Sequence, residues 1–129
     1  MDAEKTKFPS ELKAELAQFC GTEQYHRYLN GCVLTDGAKY LAEKAKAFWL
    51  MDIVASYQPR EEEFQIWRLT VNDDRSAVVE MFEDVDESDK PVKLLVRQEI
   101  KFTDFPMKEI KLYCQEGGAG RVIFLPSEY

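Results

Sequence analysis

At Phe64 the hydrophobic period of this chain changes. Upstream, apolar residues recur at helical spacing and culminate in AFWLMDIVASY, Ala47 to Tyr57, the longest near-continuous apolar run. Downstream, FQIWRLTV alternates. Trp67, Leu69 and Val71 share one face there, and Phe64, Ile66, Arg68 and Thr70 the other. Gln58-Pro59 and the charged connector Arg60-Glu61-Glu62-Glu63 separate the two regimes. Helical pattern first and strand pattern after it make the expected class α+β.

The helical half reads as follows. Leu12, Leu16 and Phe19 fall at i, i+4 and i+7, and Ser10 is placed to cap them, so a short N-terminal helix is expected over 10–19. Tyr25, Tyr28 and Leu29 also have helical spacing, which predicts another turn or two. Cys32–Thr35 reads as a short strand. Asp36-Gly37 supports two readings. It is a hairpin signal, with Lys39–Ala42 as the return strand, and it is also a cap for the helix-forming AKYLAEKAKAF. On the second reading one helix runs from about 37 to 57. The Ala47–Tyr57 run is apolar around most of its girth, which predicts a core helix buried on more than one side and flanked by the N-terminal helix. Phe48 and Trp49 are expected to be buried there.

The strand half continues with a turn at Asn72–Ser76 and with AVVEMFE, in which Val78, Glu80 and Phe82 alternate against Ala77, Val79 and Met81. Residues 83–90 form an acidic loop. Pro91 leads into a long third strand. FPMKEI predicts a helical turn capped by Asp104. KLYCQE, the Gly-rich 117–120 turn and RVIFLP make a final hairpin. Consecutive strands with short links predict an antiparallel β-meander of about 4–6 strands, with the central and N-terminal helices packed on it. The 129 residues fit a single domain, 1–129, with 1–9 loose.

Net charge is −7 and the sequence pI near 4.8. Direct binding to nucleic acid is therefore not expected, since backbone affinity comes from Lys and Arg displacing counterions. The three cysteines, Cys20, Cys32 and Cys114, are an odd and widely spaced set rather than a disulfide framework. With a charged N-terminus and no apolar run near the ~20 residues of a membrane span, the protein is expected to be cytoplasmic.

Candidate chemistry is sparse. His26 with Cys20 and Cys32 makes Cys-x5-His-x5-Cys, a spacing that does not suit a zinc knuckle, so no metal or cofactor is expected. None of the cysteines sits in a nucleophile signature with His26. Asp52 interrupts the apolar run. It is either an acid or base of raised pKa, or a carboxylate that pairs with Lys or Arg or lies on the one exposed edge of the helix. The most distinctive charge feature is the set Glu80, Glu83, Asp84, Asp86, Glu87 and Asp89. It could meet a basic surface on a partner, or be a solvated hairpin.

Three segments carry a resemblance: Thr35–Gln58, Glu63–Val71, and Thr103–Tyr129 with its ending Pro126-Ser127-Glu128-Tyr129. Together they resemble a bacterial family of small proteins of unknown function, numbered 6876 among such families. The likeness spans nearly the whole chain and implies no activity. Where the family pattern has Gly before Ala-Tyr-Trp, this chain has Lys46, which favours one continuous helix. Such families often sit in mobile elements, and the resemblance implies that setting by association alone. The resulting expectation is a non-catalytic protein-binding module, monomer or homodimer. It would be an acidic, anti-CRISPR-like inhibitor engaging a basic, nucleic-acid-handling partner through Glu80 to Asp89. The alternatives are a small enzyme using Asp52 or His26 in a cleft beside the central helix, and a homo-oligomeric structural protein.

Overall fold

The computed structural model describes residues 9–118 and 120–129. Of the stretch expected to be loose, residues 1–8 lie outside the described residues, and Pro9 opens the first helix. The helices are α1 (Pro9–Leu16), α2 (Asp36–Lys44) and α3 (Phe48–Ser56). The strands are β1 (Tyr25–Arg27), β2 (Cys32–Thr35), β3 (Phe64–Val71), β4 (Ala77–Val85), β5 (Pro91–Ile100), β6 (Glu109–Gly117) and β7 (Gly120–Phe124).

Among the described residues all seven strands join one sheet, in the order β1-β2-β7-β6-β3-β4-β5. Every neighbouring pair is antiparallel except β2 and β7, which run parallel with Val33 opposite Val122. The mixed α and β content agrees with the sequence reading, but the simple meander of 4–6 strands does not hold. The last strand inserts between β2 and β6, so that the N-terminal β1–β2 ribbon joins the sheet. The signal for that pairing is long-range, and short strands such as Tyr25–Arg27 give little local pattern.

The three helices pack on one face. Leu12 and Leu16 of α1, Leu41 of α2, and Leu50, Met51 and Val54 of α3 are buried in one cluster with Trp67, Leu69, Val79, Met81, Leu112 and Ile123. Of these, Trp67, Leu69, Val79 and Met81 belong to the predicted alternating sets, because period two sends every second side chain to the same face. Among the described residues no α-helix lies on the opposite face. Its apolar residues include Phe64, Tyr113 and Phe124, whose rings meet at 5.0 to 5.6 Å.

Several local expectations are corrected. The Asp36-Gly37 pair begins a helix, and Thr35 caps it by accepting from the Ala38 N–H at 3.2 Å. That helix is separate from α3. Lys46 adopts φ 54, in the left-handed region, and the Ala47 N–H closes back on Ala42 O at 2.8 Å. This is the wide bond of a Schellman C-terminus. Lys46 thus marks a helix stop rather than continuity. The neighbour of α3 is α2, while α1 packs on α2. Within α3, Leu50, Met51, Val54 and Ala55 are buried, whereas Phe48 is 40% exposed and Trp49 is half-buried. Phe48 is therefore not the core anchor its apolarity suggests. Residues 25–31 form β1 and a 3-10 turn at Leu29–Gly31 instead of helix. In the FPMKEI segment 105–108 form an irregular bend, with the Thr103 hydroxyl accepting from Phe105 N–H at 3.1 Å, and Glu109 and Ile110 begin β6. The acidic loop is shorter than expected: β4 extends through Val85, leaving 86–90 as the turn.

A buried amide pair ties the helical half to the sheet. Gln58 and Gln65 exchange side-chain hydrogen bonds at 2.9 and 3.2 Å, and the Trp67 indole N–H donates to Gln65 Oε1 at 2.9 Å. Among the described residues no helix is long and apolar enough to cross a membrane.

Candidate functional site: a cleft at the start of α2

The first turn of α2 gathers residues from three distant parts of the chain. A helix N-terminus leaves N–H groups without intrahelical partners. Here Asp36 N–H donates to the Thr22 hydroxyl at 2.8 Å, Gly37 N–H to Glu128 Oε2 at 3.0 Å, and Ala38 N–H to the Thr35 hydroxyl. Glu128 Oε1 also accepts from the Thr35 hydroxyl at 2.6 Å and from Leu125 N–H at 2.8 Å. The Glu128 carboxylate thus sits where the helix dipole is positive. Gly37 makes room for it: a Cβ there would lie 2.8 Å from the Glu128 carboxyl carbon and 2.7 Å from Leu125 Cδ1.

Asp36 ties the same corner from the other side. Its Oδ1 lies 2.9 Å from His26 Nε2, and its Oδ2 accepts from Glu23 N–H at 2.9 Å. The His26 hydrogen bond, more than any other contact, holds the Asp36 carboxyl below its ordinary value.

Beside this corner, on the helix-free side of the sheet, opens a cleft of about 540 Å3. It lies between the segment Gly21–Tyr25, the end of β2, the β6–β7 hairpin and the Glu128-Tyr129 end. Tyr25 and Tyr129 are its exposed rings, at 59% and 79% of their surface. Tyr129 stacks on Phe124 at 6.0 Å and meets Tyr113 edge-on at 5.7 Å. Thr22, Thr35, Gln115, Glu116 and Glu128 are polar residues of the lining, and Val122 and Phe124 apolar ones.

The residues singled out from sequence fall mostly elsewhere. His26 pairs with Asp36 and is not among the cleft's lining residues. The pair fastens β1 to α2. Asp52 is exposed on α3 and accepts a short hydrogen bond from the Tyr28 hydroxyl. Burial, and then that bond, push the Tyr28 hydroxyl well above its usual range. Asp52 is thus a surface-paired carboxylate, the arrangement that removes its candidacy as a buried acid or base. Cys32 and Cys114 are buried and Cys20 exposed. Burial raises the Cys32 thiol and takes that of Cys114 to about 12, the opposite of nucleophile activation. Among the described residues no three His, Cys, Asp or Glu side chains are grouped to hold a metal.

The acidic set lies on the β4–β5 hairpin, and most of it is engaged within the chain. Glu80 is 3.6 Å from Arg68, Glu83 is 3.6 Å from Lys93, and Asp89 is 3.0 Å from Lys111. Arg68 also donates to the Asp89 carbonyl at 3.3 Å. Arg68 and Lys111 are register partners on β3 and β6, so Asp89 bends the hairpin tip back over the helix-free face. Asp86 shapes the turn, accepting from Ser88 N–H at 2.9 Å and Lys90 N–H at 3.0 Å, and these bonds hold it below its ordinary value, the Lys90 bond foremost. Asp84 accepts only from its neighbour Val85 among the hydrogen bonds found, at 2.8 Å.

The cleft's residues escaped the sequence reading. Thr22, Glu116 and Tyr129 belong to no spacing motif, Tyr25 reads as part of a helical turn, and Glu128 reads as a turn residue. The one usable signal was the ending Pro126-Ser127-Glu128-Tyr129. It belongs to the resembling segments, as does Thr35-Asp36-Gly37, and the structure places the two together. A family model matches residues 10–129, that of a family of unknown function (DUF6876). No curated protein and no solved structure matches the chain.

Proposed function

We propose, from the premise that the chain belongs to the DUF6876 family of unknown function, that it is a non-catalytic protein-binding module. Its cleft would take a basic, apolar-anchored segment of a partner. The observation that carries this reading is the pair of exposed rings, Tyr25 and Tyr129, on a chain of net charge −7, beside Glu128 and beside Glu116, which stays exposed although it lies 3.2 Å from the buried Arg121 Nε. Exposed tyrosines supply contact area at low entropic cost, which suits recognition. Glu128 is pre-positioned by three donors, so little ordering remains to be done on binding. The paired states of Asp52 and His26 support binding over catalysis.

The acidic hairpin is the rival surface. With Glu80, Glu83 and Asp89 each beside a cation and Asp86 shaping the turn, Asp84 and Glu87 carry most of what it has to offer. An inhibitor of the anti-CRISPR kind, acting on a nucleic-acid-handling protein, is the narrowest form of the binding reading. Net acidity is its support.

The test is an array of short peptides, each with one Leu or Phe amid Lys and Arg, against the same peptides with Glu replacing the basic residues. Basic peptides should bind at micromolar strength. Tyr25→Ala, Tyr129→Ala and Glu116→Lys should each weaken them about tenfold or more. Equal binding of acidic peptides, or indifference to all three substitutions, overturns the cleft. Lost binding in Glu83→Lys/Asp84→Lys/Glu87→Lys, with the cleft variants unchanged, assigns the role to the hairpin instead.

A further inference from the structure

β5 ends the sheet on the side opposite the cleft, and among the described residues no strand pairs along its outer edge. Ten residues of open edge invite strand addition unless something blunts them. Its first half is blunted: Pro91 begins it, Lys93 has φ 59, and the register with β4 shifts between Met81 and Phe82. Its second half, Val96–Ile100, pairs with β4 without interruption.

The direction of the free backbone groups there follows from alternation. The turn at 72–76 closes with Asn72 N–H donating to Ser76 O at 2.8 Å, so Asn72 and Ser76 are a hydrogen-bonded pair. Hydrogen-bonded pairs recur every second residue in an antiparallel ladder. Val78 and Glu80 therefore bond towards β3, and Ala77, Val79 and Met81 towards β5. Their partners Ile100, Gln98 and Val96 use their backbone groups on β4. The N–H and C=O of Arg97 and Glu99 point outward.

We infer that the chain associates as a two-fold dimer through β5, antiparallel, in a register centred on Gln98. In that register Arg97 and Glu99′ exchange their outward backbone bonds, twice by symmetry, and a closed isologous contact results. The side chains agree. Arg97 and Glu99, half or more exposed at 50% and 74% and already 2.8 Å apart within one chain, meet their opposites across the axis. Val96 meets Ile100′ on the helix-bearing face. Other centres do worse. A register on Arg97 sets Arg97 against Arg97′, and one on Glu99 sets Glu99 against Glu99′, both like-charge pairs. A register on Ile100 does oppose Glu99 and Lys101′, but it runs off the end of the strand. The two clefts would lie at the far ends of a continuous fourteen-strand sheet, twice the seven of one chain.

Sedimentation velocity at up to about 0.1 mM should show a species of twice 15.0 kDa. Arg97→Glu and Glu99→Arg should each weaken dimerisation about tenfold or more, and the double swap R97E/E99R should restore it. Because the pair is on the surface, circular dichroism should show all three variants folded. Register is read separately. With exposed Cys20 replaced by Ser, Gln98→Cys should oxidise to a cross-linked dimer, since a non-hydrogen-bonded pair sets its Cα atoms about 4.5 Å apart. Arg97→Cys should cross-link far more slowly. A 15.0 kDa species throughout, a dimer indifferent to both charge reversals, or cross-linking at 97 in preference to 98 overturns the inference.

Discussion

Lys46 carries the plainest residue-scale lesson. A side chain at φ 54 bears a steric cost that Gly avoids. The left-handed stop after α2 is a place that suits Gly. Lys46→Gly should therefore raise stability by about 0.5–1 kcal/mol, measured by urea denaturation. Unchanged or lower stability would refute the account. Thiol chemistry gives a second residue-scale expectation. At pH 8 a disulfide reagent should modify Cys20 quickly. Cys32 and Cys114 should react only in denaturant, because burial removes access and raises both thiols. Rapid labelling of all three in the native state would contradict the packing described.

Among the elements, the start of α2 governs the site. Gly37→Ala should destabilise by about 2 kcal/mol, because the new methyl meets Leu125 and the held carboxylate of Glu128. In a Glu128→Ala background the same change should cost about 1 kcal/mol less, a coupling read from a double-mutant cycle. Strict additivity would mean that the two do not touch. Asp36 makes this corner sensitive to pH. Its folded pKa is depressed below 3.8, so its contribution is complete above that value and is lost as pH falls through the folded one. Thermal scans should show the wild type losing more melting temperature than Asp36→Asn over that acid range. Asp74 and Asp86, also depressed, titrate in both proteins and cancel in the comparison. Between α3 and the sheet, Gln65→Leu should cost about 2–3 kcal/mol, since it leaves Gln58 Oε1 without its donor and the Trp67 N–H without its acceptor inside the core, while Gln58 Nε2 keeps the Val54 carbonyl. Near-neutral stability would show that these groups find other partners.

For the whole molecule, a helical half and a strand half meet across Gln58-Pro59, and the change of period at Phe64 foretold both. β3 begins and ends at Phe64 and Val71, as alternation predicted, and Asn72–Ser76 is the turn its composition suggested. The two faces of β4 were readable for the same reason: period two is a local property of a few residues. The parallel β2–β7 pairing was not readable, nor was the break at Lys46, where good helix formers on both sides outweigh one strained residue in any local count. The cleft was less readable still, since Glu128 reaches Gly37 and Thr35 across 91 and 93 positions of sequence. What the sequence alone determined is which side chains of β3 and β4 share a face and where the helical half gives way to the strand half, because both follow from spacing between neighbours. Only the tertiary structure decided that the last strand would insert beside β2 and bring Tyr129 and Glu128 to Tyr25 and α2. That choice depends on which distant surfaces bury one another, and no window of neighbouring residues contains it.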